Sequence, residues 1–319
     1  MFKRILVPLD GSTNAAQAWP YGELIAKATG AELEVLWIVE SFADVARSKM
    51  NSGGPDIDSG VGASAGFEDV QNVMARLKGQ AQAHLDEFVR DAQNAGLIVT
   101  TVVREGDASD VIVEVADASP DTLVVMGTHG RSGIARWVFG SVADRVIHHT
   151  STSTLIVRSK ENEQRTPESI TRVLLPADGS EISERAIPTA VEIAKALGVG
   201  ITVLRSLDIG MSATFPQTDM GEPPIPGIDA VREEGTAYAT AIAERIRSLG
   251  TADVDSKAID DRPADAIVDE VGPQGDKLVV MGSHGRSGAG RWLLGSVSDT
   301  VVRHSAGPVL IVRNEEPPA

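Results

Sequence analysis

A chain of 319 residues, 42% hydrophobic and 23% charged, is long enough for two domains of about 150 residues, each with a core of its own. Its net charge of −16 disfavours nucleic acid and anionic membranes as partners, and the absence of cysteine excludes disulfides and thiolate chemistry. No stretch approaches the ~18 apolar residues of a membrane span, and the start MFKRILVPLD carries too short an apolar run for a signal peptide, so a cytoplasmic protein is expected.

The first apolar run, Ile5–Leu9, reads as a buried strand that ends in Asp10-Gly11-Ser12. A helix over about 14–29, a strand over 33–39 and a Gly/Pro/Ser-rich stretch at 51–66 are expected next. A long amphipathic helix over about 69–95 then leads to a strand at 98–104, a short helix at 108–117 and a strand at 122–126. After Met126-Gly127 come a glycine-rich loop, a helix over 141–149 and a last strand over 153–158. Residues 160–170 are polar and read as a linker between domains at 1–159 and 171–314, with 315–319 as a tail.

The same order then repeats. Val173–Pro176, 201–207, 254–259, 277–281 and 308–313 read as strands, and 182–197, 229–249, 263–271 and 296–304 as helices, with a Gly/Pro-rich stretch at 210–227. Aromatic content of 4% leaves the cores to Val, Ile, Leu and Ala, the usual filling of a parallel sheet covered by helices on both faces. Runs of this kind alternating with helices predict parallel strands joined by right-handed crossovers, with ligands bound beyond the carboxyl ends of the strands.

The repeat is clearest at VVMGTHGRSGIARWVFGSV, 124–142, against VVMGSHGRSGAGRWLLGSV, 279–297. Gly127, Gly130, Gly140 and Ser141 share one spacing with Gly282, Gly285, Gly295 and Ser296. A glycine loop between strand and helix brings backbone N–H groups to an anion, through positive φ or close approach, and two copies imply two phosphate-binding sites. Ser141 reads as a helix N-cap whose hydroxyl could also meet a phosphate. Asp10 and Asp178, each before Gly-Ser at the end of a strand, fit either a ligand or Mg²⁺ contact or a local Asx turn. Arg131 and Arg136, with Arg286 and Arg291, could neutralise phosphate, whereas His129 and His284 lack metal-ligand spacing. Trp137 and Trp292 read as packing residues, and His148-His149 as charge compensation at a helix end. Ser52-Gly53-Gly54-Pro55-Asp56 looks like a pyrophosphate loop but follows the second strand and is not repeated, so it reads as a decoy.

The set PLDGS, MGTHG and GSV, with MGSHG and GSV repeated, resembles the universal stress protein family in its tandem, ATP-binding form, over about 3–158 and 171–314. The resemblance implies α/β domains with two doubly wound five-stranded parallel sheets of order 3-2-1-4-5, helices on both faces, and ATP, ADP or AMP, with Mg²⁺, across the carboxyl ends of the first and fourth strands. It implies ligand contacts from Pro8, Leu9, Asp10, Ile38, Met126, Gly127, His129, Gly130, Arg131, Ser132, Gly140, Ser141 and Val142. In the second copy these fall on Pro176, Ala177, Asp178, Ser206, Met281, Gly282, His284, Gly285, Arg286, Ser287, Gly295, Ser296 and Val297. Ser206 and Ala177 depart from the apolar pattern and are expected to weaken the second adenine pocket. Thr154–Val157 and Pro308–Val312 would pair the halves into an internal pseudo-dimer, with pairing of whole chains left open.

Three functions compete. A nucleotide-dependent stress-response regulator would report occupancy through segments 41–66 and 209–228. The second is an enzyme, either a slow ATPase or a transferase using nucleotide; hydrolysis would need a positioned water and a base, with His129 or Asp10 available, yet neither glycine loop carries the lysine of a Walker-A sequence. A scaffold with degenerate pockets sits poorly with glycines retained in both copies.

Overall fold

A computed structural model of the chain describes residues 2–51, 62–128, 140–158, 170–209, 227–283 and 294–313. The first half runs β1 (Arg4–Leu9), α1 (Thr13–Ala16), α2 (Trp19–Thr29), β2 (Glu32–Val39), α3 (Phe42–Asn51), α4 (Gly62–Phe88), α5 (Arg90–Asn94), β3 (Val99–Glu105), α6 (Ala108–Asp117), β4 (Thr122–Gly127), α7 (Ser141–His149) and β5 (Ser153–Val157). The second half runs β6 (Arg172–Pro176), α8 (Glu181–Glu184), α9 (Ile187–Leu197), β7 (Gly200–Ser206), α10 (Ile228–Ser248), β8 (Val254–Ile259), α11 (Pro263–Val271), β9 (Lys277–Gly282), α12 (Ser296–His304) and β10 (Val309–Val312).

The strands form one ten-stranded sheet of order β3-β2-β1-β4-β5-β10-β9-β6-β7-β8. Within each half the pairs are parallel, and the first half has the expected order 3-2-1-4-5. The halves meet where β5 and β10 pair antiparallel, Leu155 opposite Leu310, at the segments expected to form a pseudo-dimer. Arginines cross the same boundary in both directions. Arg158 Nη1 donates to the Ser305 carbonyl at 2.7 Å, and the Arg313 guanidinium donates to the Ile147 carbonyl.

Two apolar layers cover the sheet. Ile5, Val7 and Leu9 face one way and pack with α2, α5 and α9, while Leu6 on the opposite face packs with α6 and α7. The second half does the same: Val173 and Leu175 join the first layer and Leu174 the second, with α11 and α12. Both layers run through both halves, so the core is shared.

The first helix of each half is broken into two. α1 ends at Ala16 and α2 restarts at Trp19 with Pro20 in its first turn; α8 and α9 repeat the break with Pro188. Proline early in a helix gives up no intrahelical bond, and it cannot continue a helix already under way. Likewise 69–95 is two helices, α4 and α5, with Val89 between them. α3 was not foreseen. It places Phe42–Asn51 in a helix within the span taken as a reporter segment, and Val45 packs with Val70 and Met74 in a satellite core that the second half lacks among the described residues. The decoy loop at 52–56, linker residues 160–169 and tail residues 315–319 lie outside the described residues.

Candidate functional site

In each half the carboxyl ends of the first two strands and the fourth converge on the start of one helix. In the first half this brings Pro8 and Leu9 at the end of β1, Asp10 just past it, Ile38 on β2, Met126 and Gly127 on β4, and Gly140, Ser141 and Val142 to the same end of the sheet. In the second half Pro176, Ala177, Asp178, Ser206, Met281, Gly282, Gly295, Ser296 and Val297 line one cavity of about 370 Å³. That volume is within the range of small-molecule sites. Ser183, Leu204, Arg205, Asp208, Pro263 and Ser298 also line it and were not singled out from the sequence. Ser298 had a signal, since it follows Ser296-Val297 in the repeated motif; Ser183 and Pro263 come from helices whose packing no motif announces.

The two aspartates make the local turn. Asp10 Oδ1 accepts the Ser12 N–H at 2.9 Å, and Asp178 Oδ1 accepts the Ser180 N–H at 2.9 Å and its hydroxyl at 2.6 Å. Gly11 and Gly179 follow with φ of 78° and 83°, where a side chain would be strained. Ser12 and Ser180 then cap α1 and α8. This is the Asx turn weighed from the sequence, and it fixes where each carboxyl group stands at the mouth of the crevice.

Gly127 and Gly282 are constrained by the chain's own backbone. Neither has positive φ. A Cβ on Gly127 would stand 2.6 Å from the Asn14 carbonyl oxygen, and one on Gly282 would stand 2.8 Å from that of Ile182. The partner in close approach is therefore the chain's own first helical turn, which passes directly over the strand end.

Ser141 is also corrected. The N-caps are Gly140 and Gly295, with extended backbone, so Ser141 and Ser296 are the first helical residues. Gly140 N–H donates to the Thr128 carbonyl at 2.6 Å and Gly295 N–H to that of Ser283 at 2.7 Å, so one hydrogen bond closes the base of each glycine loop. The N–H groups of a helix's first turn have no intrahelical acceptor, which makes the starts of α7 and α12 receptive to an anion. Ser298 hydroxyl donates to the Gly282 carbonyl at 3.0 Å and pins the helix start to the strand end; Ala143 holds the matching place in the first half.

Ser206 lines the cavity in place of an apolar residue, and its hydroxyl donates to the Asp261 carbonyl. Arg205, where the first half has Trp37, lies 5.5 Å over the Tyr238 ring. Burial and the nearby Glu184 carboxylate push the Tyr238 hydroxyl up to about 12. His129, Gly130, Arg131, Ser132, Arg136 and Trp137, with His284, Gly285, Arg286, Ser287, Arg291 and Trp292, lie outside the described residues. His148 does more than offset a helix end: its ring meets the Asp144 carbonyl at 2.7 Å and lies 3.7 Å from Asp299 of the other half.

Among the described residues no three His, Asp or Glu side chains come together as a metal site. No described helix is long and apolar enough to cross a membrane.

The model of the universal stress protein family matches residues 1–158 and again 169–313. A universal stress protein of Methanocaldococcus jannaschii is 29% identical over 163 residues, 51% of this chain and 86% of that protein. One from Mycobacterium tuberculosis is 30% identical over 197 residues, 60% of this chain and 61% of its own length. In fold, a crystal structure of a universal stress protein from Archaeoglobus fulgidus aligns over 98% of both chains with a TM-score of 0.66 at 20% identity.

Proposed function

The chain belongs to the universal stress protein family, and from that premise we propose that it is a nucleotide-dependent stress-response regulator with one adenine-nucleotide crevice in each half. The observation that carries this reading is the second cavity, where nine residues chosen from the repeated motif and the strand ends line a single space. Pro176, Ala177 and Met281 offer an apolar wall for a base. The start of α12 offers N–H groups for phosphate. In the first half the matching residues lie at the ends of β1 and β4 and the start of α7.

Asp10 and Asp178 are each one carboxylate at a crevice mouth, with one oxygen turned into the Asx turn. Mg²⁺ uses one or two carboxylates together with phosphate oxygens and water, so a single aspartate suits a cation that arrives with the nucleotide. In this reading the protein works in the cytoplasm, and the apposed halves hold the two sites in fixed relation.

The test is direct. Protein purified without added nucleotide is denatured, and the released small molecules are separated and identified. Adenine nucleotide is expected at up to two per chain. A protein that releases none, and takes up none on incubation with ATP and Mg²⁺, would remove this reading.

A further inference from the structure

The starts of α7 and α12 lie one turn from a charge cluster that crosses between the halves. Asp144 and Asp299 hold matching places, three residues after Ser141 and Ser296. Arg303 reaches both. Its Nη2 donates to Asp144 Oδ1 across the boundary at 2.6 Å, and its Nε donates to Asp299 Oδ1 at 2.9 Å on its own helix. These side chains are only partly exposed, at 37% for Arg303, 39% for Asp144 and 34% for Asp299. Arg145, the next cation along α7, is taken up by Asp107, which caps α6, and by Asp110 of α6 at 3.4 and 3.1 Å.

Perfect symmetry would put a second arginine where the first half has His148. Histidine is a poor replacement here. A carbonyl only accepts, so the 2.7 Å contact to the Asp144 carbonyl places a proton on Nδ1. In the neutral ring Nε2 then carries no proton, although it faces Asp299 Oδ1 at 3.7 Å. Among the described residues, two carboxylates are thus served by one permanent cation.

We propose that Arg303 is a positioning residue for both crevices. It bridges Asp144 on α7 and Asp299 on α12. It also offsets negative charge one turn behind the amides that would receive phosphate. Because it pairs with an aspartate behind each helix start, one side chain bears on both sites. The proposal rests on the nucleotide reading above.

ATP is titrated into the full chain and its variants by calorimetry, with folding checked by circular dichroism. Arg303→Gln is expected to weaken both sites by about three- to tenfold, the scale of one partly screened charge at this range. Arg303→Lys keeps the charge without the fork and is expected to lose less. Adding Asp144→Asn and Asp299→Asn to Arg303→Gln is expected to restore affinity to within about twofold of the wild type, because the uncompensated charge is gone. His148→Arg is expected to tighten binding. A recovery and a gain of this kind are outcomes that a merely structural arginine would not produce. Unchanged affinity in Arg303→Gln overturns the proposal and leaves the nucleotide reading standing, as does a loss that the triple variant fails to recover. A wild-type chain that binds no ATP overturns both.

Discussion

Gly127 and Gly282 show that a glycine in a recognisable motif can answer to the fold as well as to a ligand. Both sit where a helical turn crosses the end of a strand, with a carbonyl oxygen 2.6 or 2.8 Å from the place a Cβ would take. Gly127→Ala and Gly282→Ala are each expected to lower stability by about 1–3 kcal/mol, the usual cost of overpacking, because the obstacle is backbone that cannot swing aside. Denaturant unfolding checks this, and a change below about 0.5 kcal/mol in both variants would contradict it. The residue types and their spacing were legible in the sequence. The reason for them was not, since it depends on how α1 and α8 pass over β4 and β9. The same holds for Ser206: the sequence shows a hydroxyl replacing an apolar residue, and only the fold shows the Asp261 carbonyl that receives it. Asp10 was legible in both its readings, and the structure realises the turn.

At the scale of elements, the Val/Ile/Leu runs marked the inner strands, because a parallel strand buried on both faces has no polar face to confuse the pattern, whereas β3 and β8 at the sheet edges are partly exposed and mixed in composition. Helix boundaries were legible where a cap or glycine fixed them, as at α6 with Asp107 capping its start, or α2 and α9 ending on Gly30 and Gly198 in the left-handed region. The break between α1 and α2 was missed because Pro20 inside an apolar-periodic run is also acceptable in a first turn. α3 was missed because its stability comes from packing on α4, a tertiary contact with no local signature. The connection of α11 to the sheet supplies a test by pH. Burial alone would raise the Glu270 carboxyl, but hydrogen bonds from Lys257 on β8 and Lys277 on β9 outweigh it and hold the group below its ordinary value of 4.5. A lowered folded-state value gives stability that is present in full above the ordinary one and is lost as pH falls through the lowered one. Glu270→Gln is therefore expected to be less stable than the wild type at neutral pH and to close that gap on acidification. A constant gap from neutral pH to below the ordinary glutamate range would count against this.

For the whole molecule, the antiparallel pairing of β5 with β10 makes one sheet out of two repeats. Apolar layers shared by both halves and the reciprocal Arg158 and Arg313 contacts leave little room for one half to unfold alone. Differential scanning calorimetry is expected to show a single cooperative transition whose calorimetric and van't Hoff enthalpies agree. Two resolved transitions would mean that the halves are energetically independent. The tandem organisation was legible from the repeated motif, and the identity of the joining strands came from the family resemblance. The repeat places His148 opposite Arg303, but no pattern in the chain revealed that Arg303 bonds Asp144 across the halves, because a charge contact between helices has no spacing in sequence.

The central claim is that each repeat carries its own nucleotide crevice. Isothermal titration of the intact chain with ATP and Mg²⁺ tests it most directly. The account predicts a stoichiometry of two per chain, falling to one when substitutions at Asp178 and Ser296 disable the second crevice alone. A wild-type stoichiometry of zero, or of one that those substitutions leave untouched, would contradict it.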